Sequence, residues 1–166
     1  MYQHRFEEQL EIAATAAEVF AELDDHERLS AHMMRSSWMM GGSAMQFEFD
    51  PGRGHEVGSV IRMSGKVAGV RLFVEEVVTE RVPPYRKTWQ TVGSPKLLVI
   101  GRYRMGFELE ETEATTETAL FIEYDDPPPP WRIAGKLLGG SYARWCVRNM
   151  LTGAAASLTA GTAPLG

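Results

Sequence analysis

The chain has 166 residues, 44% hydrophobic and 23% charged, which suits one domain able to bury roughly 70% of its extended surface. A net charge of −5 argues against nucleic acid as the main partner, the single cysteine (Cys146) excludes an internal disulfide, and no apolar run approaches the roughly 20 residues of a membrane span. The opening MYQHRFEEQL is charged and lacks the apolar stretch of a leader, so a cytoplasmic protein is expected.

In chain order, residues 3–13 alternate: His4, Phe6, Glu8, Leu10 and Ile12 share one face, which reads as a half-buried strand. Thr15 followed by Glu18 forms a capping box, and Val19, Phe20 and Leu23 give the helix behind it an apolar stripe. A second short helix is expected over 26–34. Residues 32–45, HMMRSSWMMGGSAM, then hold five of the nine methionines together with Trp38.

From Met45 the period returns to two, with Phe47 and Phe49 alternating with Gln46 and Glu48, and PGRG (51–54) predicts a turn. Val57, Ile61, Met63 and Val67 share a parity. Residues 70–82, VRLFVEEVVTERV, read as a long strand whose adjacent Val77 and Val78 indicate a bulge, which leaves its parity open. Residues 85–92 follow as a strand, Gly93-Ser94-Pro95 predicts a turn, and 97–111 reads as a further long strand with Val99, Tyr103, Met105, Phe107 and Leu109 on one side. The last strand, 118–125, puts Leu120, Ile122 and Tyr124 together.

Prolines 127–130 end the sheet, and a helix is predicted from about Trp131 to about Leu158. Its apolar arc is wider than the ~100° of an ordinary surface helix, so more than one side is enclosed. Gly135, Gly139 and Gly140 weaken its first turns, and a late start or a bend is expected there. Residues 1–160 read as a single domain and 161–166 as a frayed tail.

This order, with EIAATAAEVFAELDD (11–25), EEVVTERVPPY (75–85) and ETALFIEYD (117–125), resembles the START-like (SRPBCC) superfamily in its polyketide cyclase/dehydrase and lipid-transport branch. The resemblance spans roughly residues 4–158. It implies an α+β helix-grip fold: a curved antiparallel sheet of about seven strands wrapped on a long C-terminal helix, two short helices after the first strand, and a cavity between sheet and helix. The methionine-rich 32–45 segment, the four-proline break and the glycine-rich helix start depart from the family pattern.

In such a fold the methionine cluster would lie near the cavity mouth, where unbranched, polarizable side chains reshape around apolar ligands. Its plainer reading is filler for an irregular end of the core. A thioether copper site beside His32 would want further ligands, and no His or Cys spacing suits a metal, so neither metal nor cofactor is expected. Cys146 sits on the buried side of its helix, as a structural thiol would.

The expected partner is an apolar or aromatic small molecule of polyketide, lipid or isoprenoid type. Its expected lining is Trp38, Met40, Phe47, Met63, Trp89, Tyr103, Phe107, Tyr124, Tyr142 and Trp145, with Glu8 as polar anchor. Glu8 is also the weak catalytic candidate of an alternative, aromatase/cyclase-type reading, since a carboxyl facing an apolar cavity has its pKa raised. Against it stands the simpler reading of a strand-end carboxylate in water or in a structural bond. A third alternative uses the C-terminal segment, where Arg132, Lys136, Arg144 and Arg148 occur without an acid beside Trp131 and Trp145, as a membrane-surface or protein-interaction module. Oligomeric state is left open.

Overall fold

The computed structural model describes residues 1–29 and 45–161. Its elements are β1 (His4–Ile12), α1 (Ala16–Asp24), α2 (His26–Leu29), β2 (Gln46–Phe49), β3 (Val60–Val67), β4 (Val70–Val82), β5 (Arg86–Lys96), β6 (Tyr103–Glu111), β7 (Thr116–Tyr124) and α3 (Arg132–Gly161). The strands form one antiparallel seven-stranded sheet in the order β1-β7-β6-β5-β4-β3-β2. The sheet curves around α3 while α1 and α2 close one end, the helix-grip fold that the resemblance implies.

Period-two alternation decides which side chains enter the core. Ile61 and Met63 of β3, Val74 and Val78 of β4, Trp89 of β5, Met105 and Phe107 of β6, and Leu120 and Ile122 of β7 are all buried on the concave face. The core then continues into Tyr142, Ala143, Val147, Met150 and Leu151 of α3. The capping box forms: the Glu18 backbone N–H donates to Thr15 Oγ1 at 3.3 Å, and the Thr15 N–H donates to Glu18 at 2.9 Å.

Several local expectations need correction. α2 is described only over His26–Leu29, and the rest of the helix expected over 26–34 lies outside the described residues. Val57 is in a loop and 62% exposed, not on the inward face of β3. Gly93-Ser94-Pro95 is no turn. β5 runs through it to Lys96, because Gly93 adopts φ +65° and the ladder shifts register between Phe73 and Glu75, which absorbs the extra residues. Residues 97–102 form a loop, so β6 begins only at Tyr103. The bulge of β4 lies one step past the valine pair, where Val78 faces Trp89 and Glu80 faces Thr88.

The glycines of α3 neither delay nor break it. A Cβ at Gly135 would stand 2.2 Å from Pro127 Cδ, and one at Gly139 would stand 2.8 Å from the Val99 carbonyl oxygen. Their bare faces let the helix lie directly on the 97–102 loop. Gly153, by contrast, has nothing within 4 Å of the same position. Gly153→Ala should therefore raise stability by about 0.5–1 kcal/mol through helix propensity, while Gly139→Ala should lower it. Thermal unfolding of the two variants beside the parent checks the opposite signs.

Candidate functional site

Between the sheet and α3 lies a cavity of about 30 Å³, little more than the room for one water. Val74, Leu97, Ile100 and Ile122 supply aliphatic walls, and Met63, Met105 and Met150 bring three thioethers to them. The polar groups facing this apolar space are Glu76, Trp89, Tyr103, Tyr142 and Cys146.

Glu76 is the unusual member. It sits in mid-β4 at 3% exposure, on the inward parity set by Val74 and Val78. The Tyr103 hydroxyl donates a short hydrogen bond to its Oε1. Burial pushes the Glu76 carboxyl up to about 7, against a lowering pull from the Tyr103 bond, the Lys87 charge and the Trp89 indole. Burial and the Glu76 carboxylate together hold the Tyr103 phenol well above its ordinary range. Cys146, enclosed beside Tyr142, has its thiol pushed up to about 12 by burial, so it remains a thiol and not a nucleophilic thiolate. The site thus offers one carboxyl poised near neutrality in an apolar enclosure, with a fixed hydroxyl at its side.

A second buried polar cluster lies where α1 meets α2. The Lys87 ammonium, 0% exposed, donates to Asp24 Oδ1 at 2.8 Å, to the Asp24 carbonyl at 3.0 Å and to His26 Nδ1 at 3.1 Å. Arg81 donates to Asp24 Oδ2 at 2.8 Å, and His55 Nδ1 lies 2.9 Å from the same oxygen. Burial works to raise the Asp24 pKa, but the bonds from Arg81, Lys87 and His55 outweigh it and hold the carboxylate well below its usual range. Burial, helped by Lys87, keeps His26 neutral. With Nδ1 accepting from the lysine, its proton sits on Nε2, which has no partner among the described residues. The His26 ring meets Trp89 at 71° and 4.9 Å, so this cluster buttresses one end of the cavity wall.

Of the side chains expected to line a ligand site, the cavity brings together Met63, Trp89, Tyr103 and Tyr142. Phe107 is buried below them against Phe20 and Trp89. Phe47 is half-buried on Phe49, and Trp145 is half-buried beside Tyr142 at 5.8 Å. Tyr124 is buried at the other end, with its ring 5.0 Å from His4 and its hydroxyl toward Gly140. Trp38, Met40 and most of the methionine cluster lie outside the described residues. Glu8 is not a buried anchor. Its half-exposed carboxylate accepts from Arg148 Nε at 2.8 Å, because β1 is an edge strand whose inward face opens beside α3.

Sequence reasoning missed Glu76, since Glu75-Glu76 followed by Val77-Val78 gives each parity one acid and one valine. Lys87 was within reach: it shares its parity with Trp89, two residues on. A separate open groove on the outer face of the sheet is lined by Ser64, Lys66, Arg71, Phe73 and Lys96, mixes polar and apolar surface, and is open to solvent. Among the described residues no group of His, Cys, Asp or Glu is placed to hold a metal, and no helix is long and apolar enough to cross a membrane.

Residues 3–159 match the family model described as polyketide cyclase/dehydrase and lipid transport. No curated protein matches the sequence. Among solved structures, a Thermus thermophilus protein superposes with TM-score 0.68 at 14% identity, over 96% of this chain and 100% of its own. The ZhuI aromatase/cyclase of a Streptomyces species gives 0.66 at 11% identity over 98% of both chains. Norcoclaurine synthase from Thalictrum flavum gives 0.54 at 17% identity, over 89% of this chain and 86% of its own. At such identities these likenesses speak for the fold alone.

Proposed function

Because the chain belongs to the polyketide cyclase/dehydrase and lipid transport family, we propose that it binds an apolar or aromatic small molecule between the sheet and α3, with a polar group of the ligand held at Glu76 and Tyr103. The observation that carries this reading is the Glu76–Tyr103 pair itself. A glutamate is rarely buried without an ionic partner in contact, and here it faces an apolar enclosure between sheet and helix. A drug-sized ligand needs roughly 300 Å³ or more, ten times the present space. Met63, Met105 and Met150 are the walls best suited to yield as a ligand enters, since an unbranched thioether changes rotamer at low cost. The ligand class expected is polyketide-like or lipid-like, with a carbonyl or hydroxyl on an otherwise apolar body.

The test is native mass spectrometry of protein purified from its own host, followed by solvent extraction of whatever is bound. A co-purified apolar compound supports the reading. A bare protein that also fails to enhance the fluorescence of an apolar dye sinks it. Within a ligand series, Tyr103→Phe should weaken a hydroxyl-bearing ligand about tenfold and leave its hydrocarbon analogue unchanged, as expected for one lost hydrogen bond to the phenol oxygen, whose own hydrogen goes to Glu76. Dye displacement reads both.

One observation favours a second reading, proton-transfer catalysis of the aromatase/cyclase kind. A carboxyl with a pKa of about 7 is half protonated near neutrality and so able both to give and to take a proton. In this reading the role first considered for Glu8 passes to Glu76. Turnover lost in Glu76→Gln with binding retained supports it, and binding without turnover in the parent leaves the carrier reading standing alone.

A further inference from the structure

The first turns of α3 leave large aliphatic side chains in water. Ile133 is 73% exposed, Leu137 74% and Leu138 53%, a cluster of exposed aliphatics within six residues, where Val57 and Val82 are exposed singly. Ile133 and Leu137 are four residues apart and so stand one above the other on the helix, with Leu138 beside them. Arg132 and Lys136 flank them, both exposed and neither in an ion pair among the described residues. The segment from 127 to 161 carries no acidic residue in a chain of net charge −5. Of the basic residues further along, Arg148 is engaged with Glu8 and Arg144 lies 5.8 Å from the Phe6 ring centroid. The aliphatic knob with its two uncommitted cations is therefore a local feature, confined to one end of the helix.

We infer that these turns dock on an anionic lipid surface, Ile133, Leu137 and Leu138 entering the headgroup boundary and Arg132 and Lys136 meeting acidic headgroups. Apolar side chains on one helix face with lysine and arginine alongside are what interfacial binding needs, and the charge pattern turns this end of an acidic molecule toward a negative surface. The position matters as much as the composition. Through Gly135 and Gly139 the same turns rest on the Val99 carbonyl, and Leu97 and Ile100 of that loop wall the cavity, as does Tyr142 two turns along the helix. Docking would set the end of the cavity against the bilayer, where an apolar ligand is found. This last step rests on the ligand-binding reading; the docking itself does not.

The experiment is co-sedimentation of the full chain with vesicles of phosphatidylcholine containing about a third phosphatidylserine, beside vesicles of phosphatidylcholine alone. Binding is expected to the anionic vesicles and to fall as salt is raised. Ile133→Ser combined with Leu137→Ser should weaken it about tenfold or more, and Arg132→Glu with Lys136→Glu should abolish the preference for phosphatidylserine. All four side chains are solvent-exposed, so the variants should fold. Phe73→Ser, an exposed apolar position beside Lys66, Arg71 and Lys96 on the outer sheet face, should change nothing. No vesicle binding, binding untouched by the double serine variant, or binding lost with Phe73→Ser would each overturn the proposal. So would a concentration-dependent dimer in sedimentation velocity that the double serine variant dissolves, since the knob would then belong to a copy–copy contact. Ligand capture measured without vesicles separates the two readings: capture without vesicle binding removes only the docking, and vesicle binding without capture removes only the ligand site.

Discussion

Asp24→Ala should lower the folding free energy by about 3–5 kcal/mol, because it strands the Lys87 ammonium, 0% exposed, with one neutral imidazole nitrogen as its remaining side-chain acceptor. Lys87→Met should cost less, since Asp24 keeps its bonds from Arg81 at 2.8 Å and His55 at 2.9 Å. The asymmetry follows from exposure: Arg81 and His55 reach solvent and are cheap to bring to the carboxylate, whereas the Lys87 ammonium is enclosed and has no water to replace the carboxylate. The double variant should be more stable than the sum of the single losses predicts, as coupled neighbours are. Denaturant unfolding with unchanged slopes reads all three, and equal costs for the two single changes would mean that the pair is not what holds this corner. The cluster has a pH signature as well. The folded pKa of Asp24 lies below its ordinary 3.8, so its contribution is full above that value and fades as pH falls through the folded pKa.

Why this cluster went unread in the sequence is a matter of distance. Asp24 and Lys87 are 63 residues apart, and AELDDHERL reads locally as the polar end of a helix. Elements stated by local repetition were legible: the alternation of β1, β2 and β7, the Thr15–Glu18 box, and the broad apolar arc of α3. Where local signals conflicted, reading failed. LLVI at 97–100 has β-branched and apolar composition but no alternation, and its fate as a loop is set by α3 lying on Val99. Gly93-Ser94-Pro95 has turn composition, yet the neighbouring strand carries it as a register shift. The EEVV of β4 hides which glutamate faces in, so the most consequential residue of the site became visible only when Val74 and Val78 fixed the parity. A methionine lining was anticipated in kind. The side chains at the cavity are Met63, Met105 and Met150, while the cluster at 32–45, apart from the buried Met45, is outside the described residues.

Glu76 carries the other large expectation, in the opposite pH direction from Asp24. Its folded pKa of about 7 lies above the 4.5 of an unfolded glutamate, so the folded state holds the extra proton. Its full stabilising effect is therefore present below 4.5, declines as pH rises through the interval, and is lost above about 7. A gap of that size corresponds to about 3 kcal/mol. Glu76→Gln is neutral at every pH and should lose nothing over the interval. The stability difference between parent and variant, measured by denaturant unfolding near pH 4.5 and above pH 7, should therefore change by about 3 kcal/mol, with all other titrating groups cancelling. A flat difference would mean that the carboxyl titrates as in water and that the cavity is open to it. Ligand binding then moves the same equilibrium. A ligand carbonyl that accepts from the protonated carboxyl binds more tightly as pH falls through 7, and a ligand hydroxyl that donates to the carboxylate binds more tightly as pH rises. The sign of that slope reports which polar group the protein is built to hold.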